Sequence, residues 1–172
     1  MKKVMLLMVA SLILASCSKE KKFDENLQNA YSQMVMTYAS SSLICSYTSS
    51  AWRDAIYDHK TPSGKYCSDF NDALKEQFDA YRKSGLLDTI SVLKDHLQEA
   101  TSLLNNPPSS RKDCYDEFVD IVADVSALAR MAIDPTGSLS SFNSSVNTTT
   151  ENISRKLDQF KIKYSAYLKK ED

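Results

Sequence analysis

Apolar residues along this chain recur in alternating steps of three and four, which is the pattern of amphipathic helices. The first such run crosses residues 24–59, which contain neither Gly nor Pro. Its seam repeats every seven residues and consists of Leu27, Tyr31, Met34, Tyr38, Ser41, Cys45, Thr48, Trp52, Ala55 and His59. We therefore predict a first helix of roughly 50 Å at 1.5 Å per residue.

The rest of the chain predicts further helices, separated by stops that contain Pro, Gly or Asn. The second run covers 69–105, the third 109–133 and the last 139–168. A Ser or Asp at 68–69 is the expected N-cap of the second helix, and Ser138 that of the last.

Each predicted helix has one apolar stripe, which it must bury against other helices. The sequence therefore predicts an all-α fold, an antiparallel helical bundle of four long helices. Ser84-Gly85 interrupts the second of them. If this dipeptide is a kink, 69–105 is one bent arm, and if it is a tight turn, the bundle has five helices.

Composition narrows the picture to one globular domain with few turns. The chain has 172 residues, 42% of them hydrophobic and 25% charged, with only 3 Gly and 4 Pro. That length suits a single domain, and the scarcity of turn residues favours long helices. The formal net charge is −1, so we expect no nucleic-acid partner.

The N-terminus has the features of an export signal. Lys2 and Lys3 precede the apolar stretch 4–15, which is shorter than the about 20 residues that a spanning helix needs. The stretch ends in Leu14-Ala15-Ser16-Cys17, which resembles the bacterial lipobox. This resemblance implies cleavage before Cys17, a diacylglycerol on the Cys17 thiol, and acylation of the new amine by a chain such as palmitate.

These features divide the chain into three parts. Residues 1–16 are the predicted signal peptide, 17–23 the lipidated Cys and a polar tether, and 24–172 one helical-bundle domain. Ser18 stands where inner-membrane lipoproteins carry Asp, so in a cell with two membranes we expect an outer-membrane anchor. The domain then faces either the periplasm or the medium.

The remaining cysteines are Cys45, Cys67 and Cys114. Cys45 lies within the first seam and is interpreted as a small buried hydrophobe. If Ser84-Gly85 reverses the chain, Cys67 and Cys114 lie at the same end of the bundle and pair, which is the arrangement we favour. If it is only a kink, they lie some 40 Å apart and cannot pair.

The sequence contains no pattern typical of a catalytic or metal site. HExxH, CxxC, GxSxG and Walker A motifs are absent, and neither His59 nor His96 has a Glu three residues before it. We therefore predict no enzyme, no catalytic residues, no metal and no cofactor other than the covalent lipid on Cys17.

Aromatic residues give the candidate binding site. Trp52, Tyr57 and Tyr66 fall near the first predicted turn and are candidates for a contact patch, since Tyr and Trp are frequent binding anchors. The alternative is that these rings belong to the core and place their polar atoms at its edge.

The tripeptide Asp88-Thr89-Ile90 resembles the O-glycosylation signal of some Gram-negative anaerobes, which is Asp, then Ser or Thr, then an aliphatic residue. The resemblance implies Thr89 as the modified residue. Such short patterns also arise by chance, and Ile90 falls on the predicted core face.

Several caps, turns and core aromatics are similar in order and spacing to an uncharacterised family of small helical exported bacterial proteins. They are Trp52-x-x-Ala55-Ile56-Tyr57, Asp69-Phe70-Asn71-x-Ala73-Leu74, Asn106-Pro107-Pro108, Tyr115-Asp116 and Asp134-Pro135-x-Gly137-Ser138-Leu139-x-x-Phe142. This resemblance implies a fold and implies no activity.

From these observations we predict a membrane-anchored envelope lipoprotein that binds another protein without catalysis, for example as an inhibitor or as an immunity factor against a toxin or phage. The alternative is a carrier of a small apolar ligand. Its cavity would lie where the first helix has small side chains, at Ser41, Cys45 and Thr48.

Overall fold

A computed structural model describes the backbone of residues 2–169 and the side chains of residues 18–169. It has five α-helices: α1 (Lys2–Tyr57), α2 (Phe70–Lys83), α3 (Leu86–Ser102), α4 (Lys112–Ile133) and α5 (Leu139–Lys163). A 3-10 turn over Ser109–Arg111 leads into α4. The described backbone has no strand beyond one isolated antiparallel bridge between Lys60 and Tyr66. The all-α prediction is confirmed.

Ser84-Gly85 divides the second predicted helix into α2 and α3. Gly85 has a φ of +73°, a left-handed conformation that glycine adopts without steric cost. Both helices nevertheless run along α1 in the same direction, from its C-terminal end towards its N-terminal end. The ring of Phe70 stacks on Trp52, while the carbonyl of Leu103 accepts a hydrogen bond from Asn26 at the other end of α1. The dipeptide is therefore a kink, and α2 and α3 form one bent arm.

In the second half of the chain, α4 and then α5 run along α1 in opposite directions. Arg111, just before α4, pairs with Asp24 near the start of the described part of α1. Helix α5 then runs back, because Asn143 accepts a hydrogen bond from Ser49, while Gln28 donates to the carbonyl of Tyr167. Helix α5 therefore runs opposite to α1.

The predicted caps explain where α2 and α5 begin. The Asp69 carboxylate accepts a hydrogen bond of 2.9 Å from the backbone N–H of Asn71. Ser138 and Ser141 form a reciprocal capping box at the start of α5, which satisfies two backbone donors that the helix leaves unpaired. Helix α5 ends at Lys163, five residues before the predicted end.

The seam predicted for α1 lies in the core over most of its length. Leu27, Met34, Ser41, Cys45, Thr48, Trp52 and Ala55 are buried. They face a layer that includes Ile90 and Leu97 of α3, Phe118 and Val125 of α4, and Ile153 and Phe160 of α5. His59, the last residue of the predicted seam, lies just beyond the end of α1 at Tyr57, and its imidazole is exposed.

The predicted tether continues α1 in the described residues. Residues 18–23 are helical, Phe23 is buried in the core, and Glu20 accepts a hydrogen bond of 2.6 Å from Ser110. The packed domain therefore begins before residue 24. Within the chain from residue 18 to 169, no helix is both long and apolar enough to cross a membrane.

The structure corrects the predicted disulfide. Cys67 and Cys114 are both free thiols. The backbone N–H of Cys67 donates to the carbonyl of His59, whereas Cys114 lies in the first turn of α4, which Arg111 joins to Asp24. About 50 Å of helix separates these two ends of α1. The pairing fails because Ser84-Gly85 bends the chain instead of reversing it.

Candidate functional site

Two of the three predicted patch residues are strongly exposed where α1 meets its following loop. The side chains of Tyr57 and Tyr66 are 73% and 78% exposed. The imidazole of His59 is also exposed, and its ring centroid lies 6.0 Å from that of Tyr66. We call Tyr57, His59 and Tyr66 the distal patch, because they lie at the end of α1 away from Cys17.

Backbone hydrogen bonds fix the loop that carries the distal patch. The Cys67 N–H donates to the His59 carbonyl at 2.9 Å, and the Thr61 N–H donates to the Lys65 carbonyl at 2.8 Å. These bonds close the loop on itself across the bridge between Lys60 and Tyr66. His59 has a φ of +53°, which turns the chain sharply out of α1. The rings are therefore presented by a defined backbone.

Side chains of α1 and α2 also pack against the same loop and form hydrogen bonds with it. Cys67 is buried in a small cluster with Ala55 and Ala73. The Glu76 carboxylate accepts a hydrogen bond of 2.9 Å from the backbone N–H of Ser63. Hydrogen bonds from the Ser63 hydroxyl and then from its backbone N–H lower the pKa of Glu76. Glu76 therefore keeps its charge at neutral pH and remains an acceptor for the loop.

Trp52 is not part of the distal patch, which corrects that prediction. Its side chain is only 3% exposed. The indole lies between Phe70 and Phe142, with ring centroids 5.9 and 5.8 Å away. Trp52 thus joins α1 to α2 and α5 beneath the surface, in the core role that we held as the alternative.

His59 is the member of the distal patch that was not among the predicted patch residues. It continues the seven-residue spacing of the α1 seam, but a histidine at a helix end is usually solvated, and this one is exposed. Asp58 and Thr61-Pro62-Ser63-Gly64 were the signal that the helix had ended, since Pro and Gly close to a helix end mark a turn.

The surroundings of the distal patch carry both signs of charge. Arg53 and Asp54 form an ion pair of 2.9 Å on the last turns of α1, and Lys60 and Lys65 lie on the loop. Phenol, imidazole and mixed charges bind a protein surface by ring stacking and hydrogen bonding. This chemistry suits recognition.

Thr89, the predicted O-glycosylation residue, is exposed near the start of α3. Its hydroxyl donates to the carbonyl of Gly85 at 2.9 Å. Ile90 is completely buried, as the helical pattern indicated. The side chain of Thr89 is therefore accessible, and its modification stays a prediction.

The small-sided segment of α1 is packed against α2. Ser41 and Cys45 are fully buried and Thr48 is 1% exposed. The Tyr81 hydroxyl lies near Thr48, Gln77 and Cys45. None of the hydroxyls of Ser41, Thr48 and Tyr81 has a hydrogen bond of normal length and angle. Burial raises the pKa of Tyr81 and that of Cys45, the latter to about 12.

Two surface cavities lie at the other end of α1, near Cys17. One of about 270 Å³ lies between α1 and the residues after α5, including Gln28 and Tyr167. One of about 720 Å³ lies between α1 and the connection from α3 to α4, including Phe23 and Leu103. Neither is lined by the small-sided segment of α1.

The predicted lipidation site falls outside the described side chains, because these begin at residue 18. Among the side chains that are described, no cluster of three or more His, Cys, Asp or Glu residues has the arrangement of a metal site. No protein-family model, curated protein or solved structure matches the chain.

Proposed function

We propose that this protein is an outer-membrane lipoprotein, anchored through Cys17, that binds a protein partner with the distal patch. The observation that carries the proposal is the strong exposure of Tyr57, at the end of α1, and of Tyr66, on a loop whose backbone is already fixed. Binding through such a surface requires little ordering of the loop, so more of the contact energy contributes to affinity.

The direction of the helices supports this arrangement. We infer that α1, the bent arm of α2 and α3, α4 and α5 pack as four antiparallel arms. Because α1 runs from the anchor to the distal patch, residues 17–57 would hold Tyr57 about 60 Å from the anchor. The distal patch would then contact a partner in the periplasm or the medium, away from the membrane surface.

Binding at the surface is better supported than carriage of an apolar ligand. The carrier hypothesis places the ligand beside Ser41, Cys45 and Thr48. In the structure, the buried Tyr81 of α2 already lies against that segment. Its hydroxyl and that of Thr48 also make the site partly polar, which is unfavourable for an apolar guest.

Photo-crosslinking in the envelope tests the binding proposal. A photoreactive phenylalanine replaces Tyr57 or Tyr66 in the full chain, and the control replaces Ile162, which is 80% exposed on α5. We expect the same protein adduct from positions 57 and 66 and none from 162. Equal labelling at all three positions would contradict the proposal.

A second experiment uses the identified partner. The double variant Tyr57→Ser and Tyr66→Ser should lose affinity for that partner while keeping its thermal midpoint, because both rings are exposed. Unchanged affinity would place the binding elsewhere. The anchor is tested separately by Cys17→Ser, which should move the chain from the membrane fraction to the soluble fraction and remove the acyl mass.

A further inference from the structure

The outward face of α1 has no charge over an unusually long stretch. Between Asn26 and Trp52 the sequence contains no Asp, Glu, Lys, Arg or His. The outward face of a surface helix normally carries charged and polar residues. Here it exposes Met36, Leu43 and Tyr47, whose side chains are 44%, 50% and 51% exposed.

Met36 and Leu43 belong to a second seam, and Tyr47 lies beside it. Taken in steps of four and three, it consists of Ser32, Met36, Ala39, Leu43, Ser46 and Ser50. At about 100° per residue, Leu43 points about 160° away from the buried Cys45. The helix thus has two seven-residue seams on opposite sides. One is buried in the domain, and the other, the outer seam, is exposed from Ser32 to Ser46 among the residues that the structure describes.

We propose that the outer seam is the interface between two copies of this protein, with their α1 helices parallel. This inference rests on the proposed Cys17 anchor, because two copies fixed in one membrane face must both start from it. In a parallel pair, each seam residue faces its own equivalent, so any charge on the seam would face an identical charge. The uncharged stretch avoids this repulsion.

The size and position of the seam residues fit the same arrangement. Ser32, Ala39 and Ser46 are small and let two helices approach closely. Met36 and Leu43 alternate with them and supply the apolar contacts. The uncharged stretch ends at Glu25 and Arg53. A different protein selected by charge complementarity would need charges on the seam, and the seam carries none.

Such a pair would display two distal patches side by side, above one pair of anchors. Two linked sites bind a repeated or dimeric partner more tightly than either site alone, because the second contact becomes intramolecular. The pairing itself uses none of the distal-patch residues, so pairing and partner binding at that patch can each fail while the other stands, and only the Cys17 anchor is common to both.

Disulfide trapping in membranes of the cells that produce the protein tests the parallel pair. Ser32→Cys and Ser46→Cys each place an exposed thiol on the outer seam, and Ser154→Cys places an exposed thiol on α5 as the matched control. Under mild oxidation we expect a linked dimer from each seam variant and none from the control. No dimer, or a bond only between Ser32→Cys and Ser50→Cys chains, which an antiparallel pair would give, would overturn the proposal.

A charge exchange provides the second measurement. Leu43→Asp should abolish the Ser32→Cys dimer, since two carboxylates would meet, and Leu43→Lys should do the same. Co-expression of the two variants should restore a mixed dimer. Ile162→Asp changes an exposed residue of α5 and should leave dimerisation unchanged. Failure of the mixed pair to form, or adducts with a different protein at position 32, would contradict the pairing of two copies.

Discussion

Arg111 and Asp24 form two parallel hydrogen bonds that join the start of α4 to α1. The Nε–Oδ1 and Nη2–Oδ2 distances are 2.9 and 3.0 Å. The guanidinium carbon also lies 3.9 Å from the ring centroid of Tyr167, and the Arg111 side chain is only 13% exposed. Three segments that are distant in sequence thus meet at one cation.

Arg111→Met should destabilise the protein by about 2 kcal/mol, between the values for exposed and buried ion pairs. The hydrogen bonds to Asp24 raise the pKa of Arg111 above its ordinary value, so the guanidinium is fully charged in a comparison made at pH 7. Urea unfolding of Arg53→Met is the control, because its pair with Asp54 is exposed. A loss equal to that of the control would contradict the argument.

The three thiols give a second prediction. Burial raises the pKa of Cys45 and of Cys114 to about 12, so very little reactive thiolate exists at neutral pH. We expect iodoacetamide to leave the folded protein unlabelled at both positions. In urea without reductant, Cys45, Cys67 and Cys114 should all be labelled, as intact mass would show. Labelling of Cys67 and Cys114 only after reduction would restore the disulfide that the structure lacks.

The helical pattern predicted most of the fold because burial follows the same spacing. The residues from Leu27 to Ala55 that were assigned to one seam do line the core, apart from the half-buried Tyr31 and Tyr38. The direction of the chain after Ser84-Gly85 was not predictable, since the φ of Gly85 suits a kink and a reversal equally. The disulfide prediction depended on that one junction and failed with it.

The candidate site was only partly predictable for a related reason. Tyr57 and Tyr66 flank a turn, and residues beside turns tend to be exposed. Trp52 lies one helical turn earlier on the buried side, where Phe70 and Phe142 enclose it. These two partners come from other helices, so the local sequence could not show them. The uncharged outward face of α1, by contrast, was readable from the sequence once the buried seam was known.

Tyr81 provides a prediction that depends on pH. Its hydroxyl is buried near Thr48 and Gln77 without a hydrogen bond of normal length and angle, so Tyr81→Phe should be neutral or stabilising by about 1 kcal/mol at pH 7. Burial raises the pKa of Tyr81 in the folded state above its ordinary value of 10.0. Stability from this group is therefore present below pH 10 and is lost as the pH rises further, because the unfolded state ionises first.

We therefore expect the gap between Tyr81→Phe and the wild type to widen above pH 10 in urea titrations. Cys45 lies beside Tyr81 and ionises in both proteins, so its contribution to the pH dependence of stability cancels in the difference. Tyr66→Phe is the control, since the Tyr66 ring is 78% exposed, and it should match the wild type at both pH values. A gap that stays constant with pH would show that the Tyr81 hydroxyl reaches water.

Substitutions at Gly137 and Gly85 separate the contribution of the α5 cap to stability from the contribution of backbone strain. Both have positive φ, +89° and +73°, and an alanine at such a position costs about 1 kcal/mol or more. A Cβ at Gly85 meets nothing within 4 Å, whereas a Cβ at Gly137 would lie 2.6 Å from the Ser141 Oγ. That oxygen accepts the Ser138 N–H at 2.9 Å, so moving it breaks half of the capping box.

Gly137→Ala should therefore destabilise the protein more than Gly85→Ala, by about 2 kcal/mol against about 1 kcal/mol, since loss of a cap adds about 1 kcal/mol. Asn tolerates the left-handed conformation better than Ala. Gly85→Asn should then recover most of the stability in urea unfolding, while Gly137→Asn should recover less, because its Cβ still meets Ser141. In a Ser141→Ala background the two glycine positions should respond alike, and a difference that persists there would exclude the cap as its cause.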